Sequence, residues 1–285
     1  MNIEIDKRND SGCDLAIAYR IYPKVSKVPP VFSDDKYKLS ELCLTSFKQA
    51  LGNLKVKIWA ILDNCPEEYD LLFKKYFSPE ELIIVHKKGV GNAATFDEQM
   101  NLLLTQNYSE KIYFAEDDYF YLENAFSEML DFLKTGNADF ITPYDHLDYY
   151  THKLHKYGSN ILFSGRRHWR SGATTCMTFL TTRKILKRTL PVFRTYTKSN
   201  YDTSLWLALT KIRISNPFFN LKMLASGSWM RKIILKAWFH TPLQLLTGRR
   251  YRLFLPVPTL STHMDSKCLA PGIDWKQQFE RLIEK

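Results

Sequence analysis

Residues 111–118, KIYFAEDD, place three consecutive acidic side chains directly after a short apolar run. The run is rich in the residues of a buried strand, so Glu116, Asp117 and Asp118 fall at its carboxyl end. Carboxylates held this close repel one another unless a cation joins them, and sites built from oxygen ligands favour Mg²⁺ or Mn²⁺. The alternative is an acidic helix start, in which Asp117 or Asp118 caps the following segment YFYLENAFSEML.

Apolar runs and helical patterns alternate on the amino-terminal side of this stretch. The sequence predicts strands at 14–22, 56–62 and 81–87, and helices at 37–51, 66–77 and 96–106. This alternation is typical of an α/β, doubly wound domain with a mainly parallel sheet and flanking helices. Ligands of such sheets bind beyond the carboxyl ends of the strands. The polar groups at these ends, Tyr19, Arg20, Asp63 and the acidic triplet, are therefore expected to line one crevice.

The net charge of +10 is distributed unevenly along the chain. Residues 149–264 contain 20 Lys and Arg but only one acid, Asp202, whereas the rest of the chain is net acidic. A basic half of this kind suits a polyanion: a nucleic acid, an anionic membrane or a phosphate-bearing substrate. A soluble surface that happens to use lysine is the alternative, although solubility does not require so complete an absence of acids.

The composition excludes several classes of protein. With 285 residues, of which 45% are hydrophobic and 25% charged, the chain can build a large core and is neither disordered nor collagen-like. No apolar run reaches the ~18 residues of a membrane span, and the start MNIEIDKRND is too polar for a signal peptide, so a cytoplasmic location is expected. Five scattered cysteines without a C-x-x-C pair indicate buried thiols rather than disulfides or a zinc site.

The segment IYFAEDDYFY resembles the D-x-D region of the GT-A glycosyltransferases, especially the family 2-like enzymes, which transfer a sugar from a nucleotide diphosphate. The resemblance covers most of the chain, because AIAYRIYP, IWAILDNC, GNAATFDEQ, the acidic triplet and a later acidic turn come in the family's order. It implies a single GT-A type domain over residues 1–285, with a nucleotide-sugar-binding lobe at 1–148 and a basic acceptor-binding lobe at 149–285.

The resemblance also implies roles for individual side chains. The groups that would hold the nucleotide, or lie near it and the sugar, are Tyr19, Arg20, Asp63, Asn92, Thr95, Phe96, Gln99, Glu116 and Asp117. Glu116 takes the first D-x-D place, which contacts ribose or metal, and Asp118 takes the last, which ligates the metal. Glutamate in the first place departs from the family's pattern by one methylene, so Asp118 is the stronger metal candidate.

Asp202 is the candidate catalytic base. Its pKa is expected to fall in the positive field of its half of the chain, and an ionised carboxylate can take the proton of an acceptor hydroxyl. The segment YDTSLW matches the place where resembling inverting enzymes carry an acid at a helix start. A helix cap or a salt-bridged acid is the alternative.

His263 is the second metal candidate, because many GT-A enzymes complete the metal site with a late histidine. It lies in a short polar break before a Pro-Gly turn; a hydrogen-bonded structural histidine is the alternative. The other histidines form no H-E-x-x-H spacing and are interpreted as structural or acceptor-side.

The acceptor site is predicted in FSGRRHWRSG, where Trp169 offers a stacking face for a sugar and Arg170 a cation. A surface loop anchored by its tryptophan is the alternative. Farther along, MRKIILKAWF has the make-up of a basic helix that lies on an anionic membrane, although a helix docked on its own core has the same pattern.

These patterns predict a Mn²⁺- or Mg²⁺-dependent, inverting glycosyltransferase of surface polysaccharide or glycoconjugate synthesis. Its expected substrates are a nucleotide-sugar donor, preferably a UDP-sugar, and a saccharide or lipid-linked saccharide acceptor. Peripheral contact with the inner face of the membrane is also expected, and nucleic acid is not an expected partner. The alternative is a non-catalytic basic module that binds nucleic acid or an anionic membrane. A nucleotidyltransferase is disfavoured, because AYRIYPKVSK lacks a glycine-rich phosphate loop.

Overall fold

The computed structural model describes residues 12–25, 27–225 and 229–284. The stretch MNIEIDKRND, on which the prediction about a signal peptide depends, lies outside the described residues. The strands are β1 (Leu15–Ile21), β2 (Val56–Asp63), β3 (Leu82–Lys87), β4 (Lys111–Glu116), β5 (Tyr119–Tyr121), β6 (Phe140–Ile141), β7 (Ile161–Ser164), β8 (Arg167–Gly172), β9 (Phe179–Thr182), β10 (Leu253–Val257) and β11 (Ser261–His263). The helices are α1 (Lys36–Leu51), α2 (Glu68–Tyr76), α3 (Gly91–Thr105), α4 (Ala125–Lys134), α5 (Asp148–Thr151), α6 (Arg183–Phe193), α7 (Asp202–Thr210), α8 (Pro217–Ala225), α9 (Trp229–His240), α10 (Pro242–Leu246) and α11 (Trp275–Ile283).

A nine-stranded sheet in the order β3-β2-β1-β4-β9-β6-β10-β8-β7 forms the centre of the molecule. The pairs among β3, β2, β1 and β4 are all parallel. Strands β9 and β8 run against their neighbours, and β6 and β10 are parallel to each other. Strands from both halves of the sequence therefore share one sheet. The predicted α/β fold with a mainly parallel sheet is confirmed.

Both faces of the sheet are covered, which explains why β1 is apolar throughout. All seven residues of β1 are buried. Leu15, Ile17 and Tyr19 face the core built with α1, α2 and α4, and Ala16 and Ala18 face the core built with α3, α6 and α7. A strand with two buried faces has a continuous apolar run instead of an alternating one.

Helix α1 begins and ends where the sequence predicts. Asp35 accepts a hydrogen bond from the backbone N of Lys38 at 3.0 Å, which is an N-cap, and Gly52 ends the helix with a φ of 55°. Helix α3 begins earlier than predicted, at Gly91 instead of residue 96. The cause is Asp63, whose two carboxylate oxygens accept from the backbone N atoms of Val90 and Gly91, both at 2.8 Å.

The segment after the acidic triplet is a strand, so the helix-start alternative for the triplet is wrong. Residues 119–121 form β5 and pair with β11, with His263 opposite Tyr119. The nearest helix, α4, begins only at Ala125. Phe120 of β5 packs on Phe279 of α11, and this burial favours the strand. Of the described helices, none is long and apolar enough to cross a membrane.

Candidate functional site

A first cavity lies at the carboxyl ends of β1, β2 and β4. It has a volume of about 320 Å³. The predicted donor-site residues that line it are Arg20, Asp63, Asn92, Thr95, Glu116, Asp117 and Asp118. The crevice predicted from the polar strand ends is therefore present, and the parallel half of the sheet builds it.

Arg20 organises the floor of this first cavity. Its Nη2 lies 2.5 Å from Oε1 of Glu116, and its Nη1 donates to the backbone O of Asn92 at 2.7 Å. The second oxygen of Glu116 accepts from the Thr178 hydroxyl at 2.9 Å. Because Arg20 already balances its charge, Glu116 is suited to holding hydroxyl groups or Arg20 itself rather than a metal ion.

Asp117 is bound by a buried lysine that the sequence analysis missed. Nζ of Lys36 lies 2.6 Å from Oδ2 of Asp117. Burial alone would lower the pKa of Lys36, but the charge of Asp117 raises it to about 12. Lys36 is the first residue of α1, where a cation opposes the helix dipole, and this unfavourable position is the signal that could have identified it.

Asp118 and His263, the two predicted metal ligands, form a partly buried pair. The distance from Oδ2 of Asp118 to Nε2 of His263 is 3.0 Å. Two further buried atoms, Oδ1 of Asp118 and Nδ1 of His263, have no hydrogen-bond partner among the described residues. A buried carboxylate oxygen without a donor is costly, and a divalent ion beside it would satisfy it. Within the described ranges no group of three or more His, Cys, Asp or Glu side chains could hold a metal, so an ion here would need further oxygen ligands from a substrate.

A second cavity lies on the other side of this pair. Its lining includes His263 and Asp202, and also Trp229, which the sequence analysis did not single out. Asp118 lines the first cavity and contacts His263 of the second. The two cavities therefore meet at the Asp118–His263 pair.

Asp202 is the first residue of α7, and its surroundings differ from the prediction. Burial raises the pKa of Asp202 above its usual 3.8, whereas a positive field was expected to lower it. Among the described residues no cation lies within ion-pair distance of its carboxylate, which accepts from the backbone N of Thr203 at 2.5 Å and from the Thr203 hydroxyl at 3.2 Å. The basic side chains of this half of the chain do not face Asp202, so desolvation dominates. A raised pKa suits a general base.

Three of the histidines interpreted as structural or acceptor-side line the second cavity: His146, His152 and His155. Burial lowers the pKa of His146 to about 4 and that of His155 to about 3. Both rings are therefore neutral near pH 7. Neutral imidazoles offer a hydrogen-bond donor and an acceptor without charge, which suits the hydroxyl groups of a polyol.

Three predicted donor-site residues belong to the core instead. Tyr19 packs edge-on against Phe47 and Phe73, and Phe96 packs against Phe114, so neither ring faces the cavity. Gln99 is buried, and its Nε2 donates to the carbonyl O atoms of Ala18 and Ala115, which ties α3 to β1 and β4. The sequence could not distinguish these positions from the residues that line the cavity, because Tyr19 neighbours Arg20 on β1, and Phe96 and Gln99 follow Asn92 and Thr95 on α3.

The predicted acceptor pair is also wrong. Trp169 is 1% exposed and stacks on Phe132 with a centroid distance of 4.3 Å, so it has no free face for a sugar. Arg170 lies 2.5 Å from Oδ1 of the buried Asp145 and over the ring of Tyr150. Trp169 therefore fills the core, and Arg170 neutralises the buried charge of Asp145. Neither residue lines the second cavity.

The comparisons with known proteins gave only distant similarities. No protein-family model and no curated protein matches the chain. Among solved structures, the chain is similar to the mannosyltransferase PcManGT of Pyrobaculum calidifontis in complex with GDP-Man and Mn²⁺, with a TM-score of 0.42 and 12% identity over 83% of this chain and 73% of that one. It is also similar to the galactosyltransferase LgtC in complex with donor and acceptor sugar analogues, with a TM-score of 0.46 and 12% identity over 94% of this chain and 95% of that one. At these scores we infer the function from the site alone.

Proposed function

We propose that this chain is a GT-A type glycosyltransferase whose donor and acceptor sites are the first and second cavities. The observation that carries the proposal is their meeting at the Asp118–His263 pair, with Asp202 in the lining of the second cavity. A transferase requires a donor and an acceptor side by side, with a base on the acceptor side. In this proposal residues 1–148 form the donor lobe and residues 149–285 the acceptor lobe of one domain.

Asp118 and His263 would hold the divalent ion, Mn²⁺ or Mg²⁺. The unpartnered oxygen of Asp118 and the adjacent Nε2 of His263 fit such an ion, and the diphosphate of the donor would supply further oxygens. When bound, the ion neutralises charge on the leaving nucleotide diphosphate. Arg20, Glu116 and Asn92 hold the nucleotide in the first cavity, and our preferred donor is a UDP-sugar.

Asp202 acts as the general base on the acceptor. Its carboxylate takes the proton of an acceptor hydroxyl while that oxygen forms a bond to the anomeric carbon. The bond from this carbon to the diphosphate oxygen breaks, and the nucleotide diphosphate leaves with the electron pair. We propose inversion on the role of Asp202 alone: a single displacement by the hydroxyl that it deprotonates attacks the face opposite the leaving group. We place the reaction in surface polysaccharide or glycoconjugate synthesis at the cytoplasmic side.

The test is calorimetric titration of UDP, GDP and CMP with and without Mn²⁺. We expect one diphosphate to bind in a Mn²⁺-dependent way and Asp118→Asn to abolish the dependence. Asp131→Asn is the matched control, because Asp131 is an exposed acid of α4 that lines neither cavity. If no nucleotide binds under any condition, the proposal fails, and a non-catalytic basic module becomes the better interpretation.

A further inference from the structure

Helices α8, α9 and α10 carry a concentration of exposed apolar side chains, which we call the helical surface. Its large exposed residues are Phe218, Leu221, Trp229, Leu235, Trp238, Phe239, Leu243 and Leu246. Phe218 and Phe239 are each 81% exposed. A cluster of this size on a protein surface marks an interaction site.

The exposed apolar residues of α9 are not the ones that dock the helix on its own core. Met230, Ile233, Ile234 and Ala237 form the buried face and pack against Leu207 of α7. Leu235, Trp238 and Phe239 remain outside. The helix therefore has an apolar set in addition to the one that its own fold uses, and this removes the simple core-docking explanation of its amphipathic pattern.

The charge of the helical surface favours an anionic partner. Residues 203–264 contain nine Lys and Arg and no Asp or Glu. Lys222, Arg231 and Lys232 are exposed between the apolar side chains. Two copies of such a surface would repel each other. Basic side chains interleaved with aromatic and aliphatic ones are suited to an anionic lipid bilayer, into whose interface the apolar groups insert.

A third cavity adjoins the helical surface through Phe218 and holds three cations that have no acidic partner in the part of the chain that the structure describes. Lys211, Arg213 and Arg250 line it. Nε of Arg250 donates to the backbone O of Thr210 at 3.0 Å, and Nη1 of Arg213 donates to the backbone O of Lys156 at 2.9 Å. Nε of Arg213 is buried without a partner. Carbonyl oxygens do not neutralise these charges, so a phosphate group would find both charge and free donors here.

We propose that the helical surface docks on an anionic phospholipid membrane and that the third cavity receives a lipid headgroup phosphate. Trp229 belongs to this surface and also lines the second cavity beside Asp202. The second cavity therefore opens next to the bilayer. It follows that the acceptor is a saccharide carried on a membrane lipid. This last step, unlike the docking itself, rests on the proposed function.

Cosedimentation with vesicles tests the docking. We expect the protein to sediment with phosphatidylcholine vesicles that contain phosphatidylglycerol, to remain in solution with pure phosphatidylcholine, and to be released by salt. Phe239→Ser with Leu243→Ser should weaken binding by roughly tenfold or more, because both side chains lose their apolar contact with the bilayer. Phe163→Ser is the matched control, because Phe163 is 69% exposed but lies on β7, and it should leave binding unchanged.

Removing a positive charge from the third cavity tests whether it receives a phosphate. Arg250→Gln should weaken vesicle binding about fivefold, the effect of one surface cation, and more than Arg188→Gln, which removes an exposed arginine from α6. Four results would overturn the proposal. Two concern the vesicles: no sedimentation at low salt, or equal losses of vesicle binding in the control variants. The others are Arg250-dependent binding of free glycerol phosphate without vesicle binding, and a dimer in light scattering that the Phe239→Ser, Leu243→Ser variant converts to monomers. Calorimetry of the donor nucleotide on the same variants shows whether they fold and separates failure of docking from failure of the proposed function.

Discussion

Nε2 of His263 lies 3.0 Å from Oδ2 of Asp118, although about half of the chain separates the two residues in sequence. The β5–β11 ladder brings them together, because His263 is opposite Tyr119, the neighbour of Asp118. Burial would raise the pKa of Asp118, but the charge of His263 lowers it to about 2. Burial would likewise lower the pKa of His263, but the charge of Asp118 raises it above 6.5.

The first prediction concerns the pH dependence of stability without metal. The contribution of Asp118 to the free energy of unfolding is present above pH 3.8, the usual pKa of its carboxyl, and is lost as the pH falls toward about 2. The His263 contribution is present below 6.5 and is lost as the pH rises through its raised pKa. Urea unfolding in EDTA should show the free energy of unfolding falling by about 2 kcal/mol across these windows. His263→Gln should flatten the upper window; an unchanged profile in this variant would contradict the ion pair.

The second prediction is that Lys36→Met destabilises the fold by about 3–5 kcal/mol, because it leaves Asp117 buried without its cation. The double variant with Asp117→Asn should recover part of the loss. The control is Lys75→Met, since Lys75 makes an equally close, 2.7 Å pair with Glu41 in which its own side chain is exposed, and its loss should be about 0–1 kcal/mol. Urea unfolding measures all three, and similar values for both lysines would show that Asp117 is hydrated.

The third prediction concerns Asp202. Asp202→Asn should lower kcat by about 10²–10⁴, the usual loss of a general base, and leave the affinity for the nucleotide unchanged. The acidic limb of the kcat/KM profile should lie above pH 3.8, because burial raises the pKa of Asp202. Thr203→Val removes a hydroxyl donor to the carboxylate and should move this limb to higher pH. A limb that stays in place would mean that another group is the base.

The fourth prediction separates two tryptophans. Trp169→Ala should cost about 3–5 kcal/mol of stability, because it empties a stacked core position. Trp229→Ala should leave stability nearly unchanged, since Trp229 is 54% exposed, but should raise the KM for the acceptor, because its ring lines the second cavity. Thermal unfolding and initial rates measure both. A stable Trp169→Ala variant with a raised KM would restore the original acceptor assignment.

The first half of the fold and the first cavity could be predicted because they depend on local signals. Apolar runs, the cap at Asp35 and the turn at Gly52 fix β1, α1 and β2 within a few residues. The acidic triplet lies at a strand end in the structure as in the prediction. These signals are carried by neighbours in sequence, so one sequence suffices to find them.

The errors arise where tertiary packing decides the direction of a side chain. Tyr19 and Arg20 are adjacent, and in a strand buried on both faces the pattern does not show which one reaches the cavity. The position of Trp169 depends on Phe132 of α4, which is distant in sequence although the two rings stack in the fold. The pKa of Asp202 depends on its desolvation, which net charge along the sequence does not describe. None of these contacts has a local signature.

The β5–β11 ladder has a consequence for the order in which activity is acquired during synthesis. The carboxylates of the first cavity are present once residue 118 has been translated, but His263 pairs with Asp118 only after almost all of the chain has emerged. Closing so long a loop is slow and entropically unfavourable before other contacts support it. A nascent chain therefore lacks the Asp118–His263 pair until β11 is in place. On the proposed function, a fragment truncated before residue 261 should bind nucleotide weakly and transfer no sugar.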